Sequence, residues 1–293
     1  SLHSFHVSRF THHGPRFTHH GPRFTFHVYM IDYFHCIPDS TSFLSDHPGQ
    51  FDVLTSAYRI KRYSTIKRSL KYARRLFLDS GMLSAWNAGK IDWASEQDYV
   101  VRLANEIKPD LVAMLDLPME PHLLAANGVT SLKALNKTKE NAMAFMEAHL
   151  PQGTKKVYVV QGYELSEYQQ CLDWYRELGI FDSSSSWIAI GSVCKRSPRM
   201  GLYQVAKFIR KEVKHHHIHA FGIGRRAWIR ELVKIGIDSF DSATASMTVA
   251  YNKGESQVKG RHRNIDDRDR QFAFEFKKHE DYLNAAPIQG ELF

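Results

Sequence analysis

Three aspartates close three short apolar runs of this chain. Asp79 ends Leu76-Phe77-Leu78-Asp79, Asp116 ends Leu111-Val112-Ala113-Met114-Leu115-Asp116, and Asp241 ends Ile237-Asp238-Ser239-Phe240-Asp241. A carboxyl group with an ordinary pKa of about 3.9 is ionised at neutral pH. Each aspartate is therefore a candidate nucleophile and, where its surroundings raise that pKa, a candidate proton carrier. An aspartate at a strand end also serves as a helix cap or turn residue, but three in equivalent places point to one shared site. Two further run ends carry groups suited to a planar heterocycle: Gln161 follows Val159-Val160, and Gly191-Ser192 follows Ile188-Ala189-Ile190. A side-chain amide donates or accepts in a ring plane, and glycine lets the main chain approach closely. A turn glycine and a strand-end glutamine explain either motif in isolation.

These groups need a scaffold that gathers strand ends. Apolar runs at 26–34, 52–57, 76–80, 111–116, 156–161, 187–191, 217–222 and 237–241 predict strands. Apolar residues at three- and four-residue spacing predict helices over 96–107, 133–149, 165–178, 200–213 and 225–235. Runs such as Val157-Tyr158-Val159-Val160 suit a parallel sheet covered on both faces, with right-handed crossovers. The expected fold class is α/β, a (β/α)8 TIM barrel, whose strand ends converge on one mouth; a doubly wound open sheet is the alternative. The first two strands are the weak part, because 38–50 has little helical pattern.

At the start, Phe10-Thr11-His12-His13-Gly14-Pro15-Arg16 is repeated in Phe17-Thr18-His19-His20-Gly21-Pro22-Arg23. A Gly-Pro in each copy rules out a helix, so residues 1–23 read as a flexible His-rich arm. Residues 24–293 read as a single barrel domain with a basic C-terminal extension, where the alternation gives way to charge after residue 250. The 43% hydrophobic content of the 293 residues supplies a substantial core. A net charge of +8 and a pI near 9.3 suit a polyanionic partner. Cys36, Cys171 and Cys194 are far apart and lack C-x-x-C spacing, which argues against a disulfide framework or a cysteine-rich zinc site and fits a reducing, cytoplasmic setting. No apolar run approaches the roughly 20 residues that span a bilayer.

Six motifs in order resemble the tRNA-guanine transglycosylases and their DNA-acting relatives, the 7-deazaguanine DNA transglycosylases of phages and bacteria. Asp79-Ser80-Gly81 is similar to the family's D-S-G-G-F, Asp116 to its base-reading aspartate, and Val160-Gln161-Gly162 to its V-Q-G. Ile190-Gly191-Ser192 is similar to its I-G-G, Phe221-Gly222-Ile223-Gly224 to its M-G-V-G, and Gly236-Ile237-Asp238-Ser239-Phe240-Asp241 to its G-x-D-x-F-D. The resemblance implies a TIM barrel that replaces guanine in a polynucleotide with a 7-deazaguanine such as 7-cyano-7-deazaguanine. It implies Asp241 as the nucleophile that forms a covalent sugar intermediate, and Asp79 as the group managing the proton of the departing and entering bases. Asp116 would read the imino and amino groups, Gln161 and the Gly191 amide would face the oxo group, and Phe221, with Met82 or Leu83, would stack on the base. Ser80 and Ser192 complete the expected substrate set.

The chain departs from the family in lacking the C-x-C-x-x-C zinc motif after Asp241, and in carrying Met82, Leu83 and Ser192 at motif positions. The expectations are therefore no metal, no cofactor, DNA as the partner with tRNA as the alternative, and no membrane; a homodimer is allowed for. A non-catalytic nucleic-acid-binding barrel is the alternative from another class. Lys195, Arg196, Arg261 and Arg263 are the expected phosphate contacts, against a reading as solvated charge. His217 and His219 alternate onto one face but read as a solvated strand entry away from the mouth.

Overall fold

The computed structural model describes residues 31–37, 42–92, 96–249 and 265–285. The expected arm at 1–23, together with Arg261 and Arg263, lies outside them. Eight parallel strands close into a barrel in sequence order: β1 (Asp32–Cys36), β2 (Asp52–Ser56), β3 (Arg75–Asp79), β4 (Leu111–Ala113), β5 (Lys155–Val160), β6 (Trp187–Ile190), β7 (Ile218–Ala220) and β8 (Ser239–Ser242). Closure brings β8 back to β1 with Phe34 beside Asp241 in register. The open-sheet alternative is thereby removed. All-parallel pairing needs a crossover between strands, and the five expected helices are present as Gln97–Ile107, Ser131–Glu147, Leu165–Glu177, Leu202–Glu212 and Arg226–Ile235. Among the described residues no helix is long and apolar enough to cross a membrane.

Three expectations are corrected. The first strand, Asp32–Cys36, runs past the end of the 26–34 run, whose residues 26–30 lie outside the described residues, and this brings Cys36 to the mouth. The fourth strand stops at Ala113, so Asp116 stands on the buried segment that follows. That segment satisfies its backbone with side chains of two helices: Gln97 Oε1 accepts from the Leu115 N–H at 2.7 Å, Thr138 Oγ1 from the Leu117 N–H at 3.0 Å, and Asn141 Nδ2 donates to Leu115 O at 3.0 Å. Buried polar backbone needs such partners, and they fix the position of Asp116. The charged C-terminal region, expected as a basic extension of the barrel domain, is more than charged surface, since it contains the 20-residue helix Ile265–Asn284. Phe272, Phe276 and Leu283 of this helix are buried. Their four- and seven-residue spacing forms an apolar stripe amid the charge. The Phe276 ring stacks on His35 of β1 at 4.2 Å and meets Phe43 at 5.3 Å and Phe51 at 5.6 Å edge-on, which covers the outside of the first two strands.

Candidate active site

The strand ends enclose a cavity of about 710 Å³, lined by Asp79, Ser80, Asp116, Gln161, Gly191, Ser192, Phe221 and Asp241. The site residues expected for chemistry and base reading thus share one wall system.

Asp241 ends in a cage of donors. The Gly222 N–H donates to its Oδ1 at 2.9 Å and His219 Nε2 lies 3.1 Å from the same oxygen, while the Cys36 thiol donates to Oδ2 at 2.9 Å. Both oxygens of this buried carboxyl group thus have polar partners, two of them donors. Gly222 makes its part of this possible because a Cβ at that position would stand 2.3 Å from the Cys194 Cβ, and its φ of +72° is in the left-handed region.

Asp79 is placed differently. Its Oδ2 accepts from the Gly81 N–H at 2.9 Å, which bends the chain into the next helix. Burial, and then the negative charges of Asp116 and Asp241, push its pKa up to about 8. It holds a proton at neutral pH.

Asp116, whose pKa burial raises to about 6, accepts from the Ser80 hydroxyl at 3.2 Å and from Gln161 Nε2. Gln161 Oε1 in turn lies 2.9 Å from the Ser192 hydroxyl, which is also 2.9 Å from Glu120 Oε2 and accepts from the Met119 N–H at 2.9 Å. Both ends of the Gln161 amide are engaged, each keeping further hydrogen-bonding capacity. Ser192 keeps a left-handed backbone, φ +52°, although it is not glycine. The expected role of the Gly191 amide is corrected: its N–H is bonded to Val160 O at 3.0 Å in the sheet. What Gly191 contributes is the missing side chain, since a Cβ there would fall 2.3 Å from the Gln161 amide. The Tyr168 hydroxyl secures the same turn by donating to Gly191 O at 2.8 Å.

Met82, Leu83 and Phe221 supply apolar walls of the cavity. Lys195 is exposed beside it, whereas Arg196 is buried, with Nη2 donating to Tyr163 O at 2.7 Å and its guanidinium 4.5 Å over the Tyr163 ring. Arg196 is therefore committed to the chain itself rather than presented to solvent.

The sequence reading passed over four residues of this site. Cys36 fell outside the first run as drawn. Glu120, just before the helix Pro121–Ala126, and Arg59, within the helix Ala57–Arg62, line the cavity from positions that no motif marks. His219 was read as a solvated strand entry; it is fully buried inside the barrel against Asp241. Its two-residue alternation with His217 was the available signal, and the direction of the pleat decided its meaning. Among the described residues no cluster of His, Cys, Asp and Glu is disposed to hold a metal ion.

Residues 58–269 match the family model described as Queuine tRNA-ribosyltransferase. The tRNA-guanine(15) transglycosylase of Sulfolobus acidocaldarius is 26% identical over 207 residues, which make up 67% of this chain and 40% of that protein. The chain spans about two fifths of the length of the curated relative it matches.

Proposed function

The chain belongs to the queuine tRNA-ribosyltransferase family, and on that footing we propose that it is a guanine transglycosylase, exchanging guanine in a polynucleotide for a 7-deazaguanine. The observation that carries this reading is the division of labour between two carboxyl groups on one cavity. Asp241 meets the Gly222 N–H, the Cys36 thiol and the His219 ring nitrogen at its two oxygens, and Asp79, with its pKa raised to about 8, carries a proton at neutral pH. An oxygen of Asp241 attacks C1′ of the target nucleotide, the bond from C1′ to the base nitrogen breaks, and its electron pair leaves with guanine. Asp79 gives the departing base its proton. In return, Asp79 takes the proton of the entering base, whose ring nitrogen bonds to C1′ as the aspartyl ester opens. Carboxylates suit both steps because charge-balanced exchange of one N-glycosidic bond for another needs no redox partner.

Asp116 and Gln161 form the reading edge. An acceptor beside an amide suits the imino, amino and oxo groups of a guanine-type base, and a site built to hydrogen-bond its substrate rejects an analogue lacking those groups by roughly 10⁴–10⁵-fold. Phe221 offers a stacking face, worth roughly 1–3 kcal/mol per base.

DNA is the polymer we propose. The reading rests on the departures at Met82, Leu83 and Ser192 and on the missing zinc motif after Asp241. The printed name of the relative, a tRNA-guanine transglycosylase, favours the second reading, tRNA. The deciding experiment incubates the protein with 7-cyano-7-deazaguanine and, separately, duplex DNA, single-stranded DNA and tRNA, followed by digestion and mass spectrometry of the nucleosides. A deazaguanine deoxynucleoside supports the DNA reading. The ribonucleoside alone replaces it with tRNA. No exchange, with salt-sensitive polynucleotide binding retained, replaces both with a binding protein.

A further inference from the structure

Between β7 and β8 the barrel interior is polar where barrels are ordinarily filled by branched apolar side chains. His217 stands just before β7 and His219 two residues on within it, Ser239 and Asp241 alternate along β8, and His219 is the register partner of Ser239. Their side chains touch in series. His217 Nε2 is 2.9 Å from Ser239 Oγ, Ser239 Oγ is 2.9 Å from His219 Nδ1, and His219 Nε2 is 3.1 Å from Asp241 Oδ1. Rings of Phe34, Phe77 and Phe221 pack around His219 at 6.1, 5.0 and 4.8 Å and bury it, while His217 at the other end is partly exposed. Trp187 stacks on His217 at 3.5 Å at its lower end.

Donor and acceptor counts give the series a direction. An ionised carboxylate only accepts, so the hydrogen between His219 and Asp241 belongs to Nε2. In a neutral ring Nδ1 then accepts, which requires the Ser239 hydroxyl to donate to it. That hydroxyl has one hydrogen, so His217 Nε2–H donates into Ser239. We infer that His217, Ser239 and His219 form a one-way hydrogen-bond chain that locks the Nε2–H tautomer of His219 and thereby fixes which oxygen of Asp241 does not react. No proton travels along it.

The consequence concerns the two oxygens, and it rests on the transglycosylase reading above. Oδ1 is held by two N–H donors, His219 and Gly222, while among the described residues Oδ2 meets only the thiol of Cys36, a weak donor. Oδ2 therefore forms the bond to C1′, and Oδ1 becomes the ester carbonyl. When the entering base attacks C1′, the C1′–Oδ2 bond breaks and its electron pair returns to the carboxylate, whose recovered charge His219 and Gly222 receive. His219, Ser239 and His217 are positioning residues: they act through Asp241 and make the carboxylate a better leaving group in the second step.

Two measurements test this. The first needs no substrate: ¹⁵N spectra of the histidine rings, with His219 identified by its loss in His219→Phe. A neutral Nε2–H ring that changes to mixed tautomers in Ser239→Ala supports the chain; an Nδ1–H ring, or an imidazolium, overturns it. The second compares His219→Phe, which keeps ring shape and removes the donor, with His219→Gln, which returns an N–H near the same point. A hydrogen bond to a charged group is worth enough for turnover in His219→Phe to fall about 10- to 100-fold. The fraction of enzyme trapped as polynucleotide adduct should rise at the same time, and His219→Gln should recover most of the rate. Wild-type turnover in His219→Phe, or equal losses of adduct and turnover in both variants, overturns the assignment. Absence of any adduct in the wild-type protein removes the transglycosylase reading and with it the role of the oxygens, while the ring spectra still decide the chain.

Discussion

Replacing Asp79 with asparagine should flatten a loss of stability that the wild-type protein shows as pH rises. Burial and the neighbouring carboxylates Asp116 and Asp241 move the Asp79 pKa from 3.8 to about 8 in the folded state, and unfolding returns it to its ordinary value. Between those values the folded protein keeps a proton that the unfolded chain has released. The folded state thus binds more protons, and stability falls as pH rises through this window. Each pH unit is worth about 1.36 kcal/mol, so the loss between about pH 5 and about pH 8 reaches about 4 kcal/mol. That is a large part of the roughly 5–15 kcal/mol that holds a typical domain together. The assay is urea unfolding of wild-type protein and Asp79→Asn at several pH values across the window, with the difference between the two curves as the quantity read. Asp116 titrates in both proteins and largely cancels. Asp79→Asn should gain on the wild type steadily towards the alkaline end, while losing base exchange. Parallel curves would refute the description of Asp79 as a buried acid crowded by negative charge.

The same groups shape activity: Asp116 must be ionised to accept from a base, and Asp79 must hold its proton, so kcat/KM should be bell-shaped with limbs near 6 and 8. Gly191→Ala places a Cβ 2.3 Å from the Gln161 amide, and the displaced reading edge should raise KM for the entering base at least about tenfold while leaving the fold intact by circular dichroism. Phe276→Ala, in the C-terminal helix, removes a fully buried ring stacked on His35 and should cost about 3–5 kcal/mol by urea unfolding; a cost under about 1 kcal/mol would return that helix to the surface. Asp241→Asn should abolish a denaturant-stable polynucleotide adduct without changing salt-dependent binding, and persistence of the adduct would remove Asp241 as the nucleophile.

The local sequence determined the elements whose stabilising pattern lies within a few residues of one another. Helix Leu202–Glu212 and strand Trp187–Ile190 are legible because amphipathic spacing and a β-branched run act over their own length. Motif order also placed Asp79, Asp116, Gln161 and Asp241, since strand ends in a barrel meet wherever the strands lie in sequence. Tertiary structure decided what depends on pairing across the chain. Helix Ile265–Asn284 was hidden by its charge, and only the rings of Phe43, Phe51 and His35 make its apolar stripe a buried face. The Gly191 N–H looked available to a ligand until the ladder to Val160 claimed it. His219 looked like a solvated residue because residue type states polarity, whereas closure of β8 on β1 decides which side of each strand faces the barrel interior. Cys36 and Asp241, 205 positions apart, are brought to 2.9 Å by that closure alone. Local pattern specifies which segments become strands and where the carboxylates fall upon them; which donor meets which oxygen is fixed by register, a property of paired strands and not of any one of them.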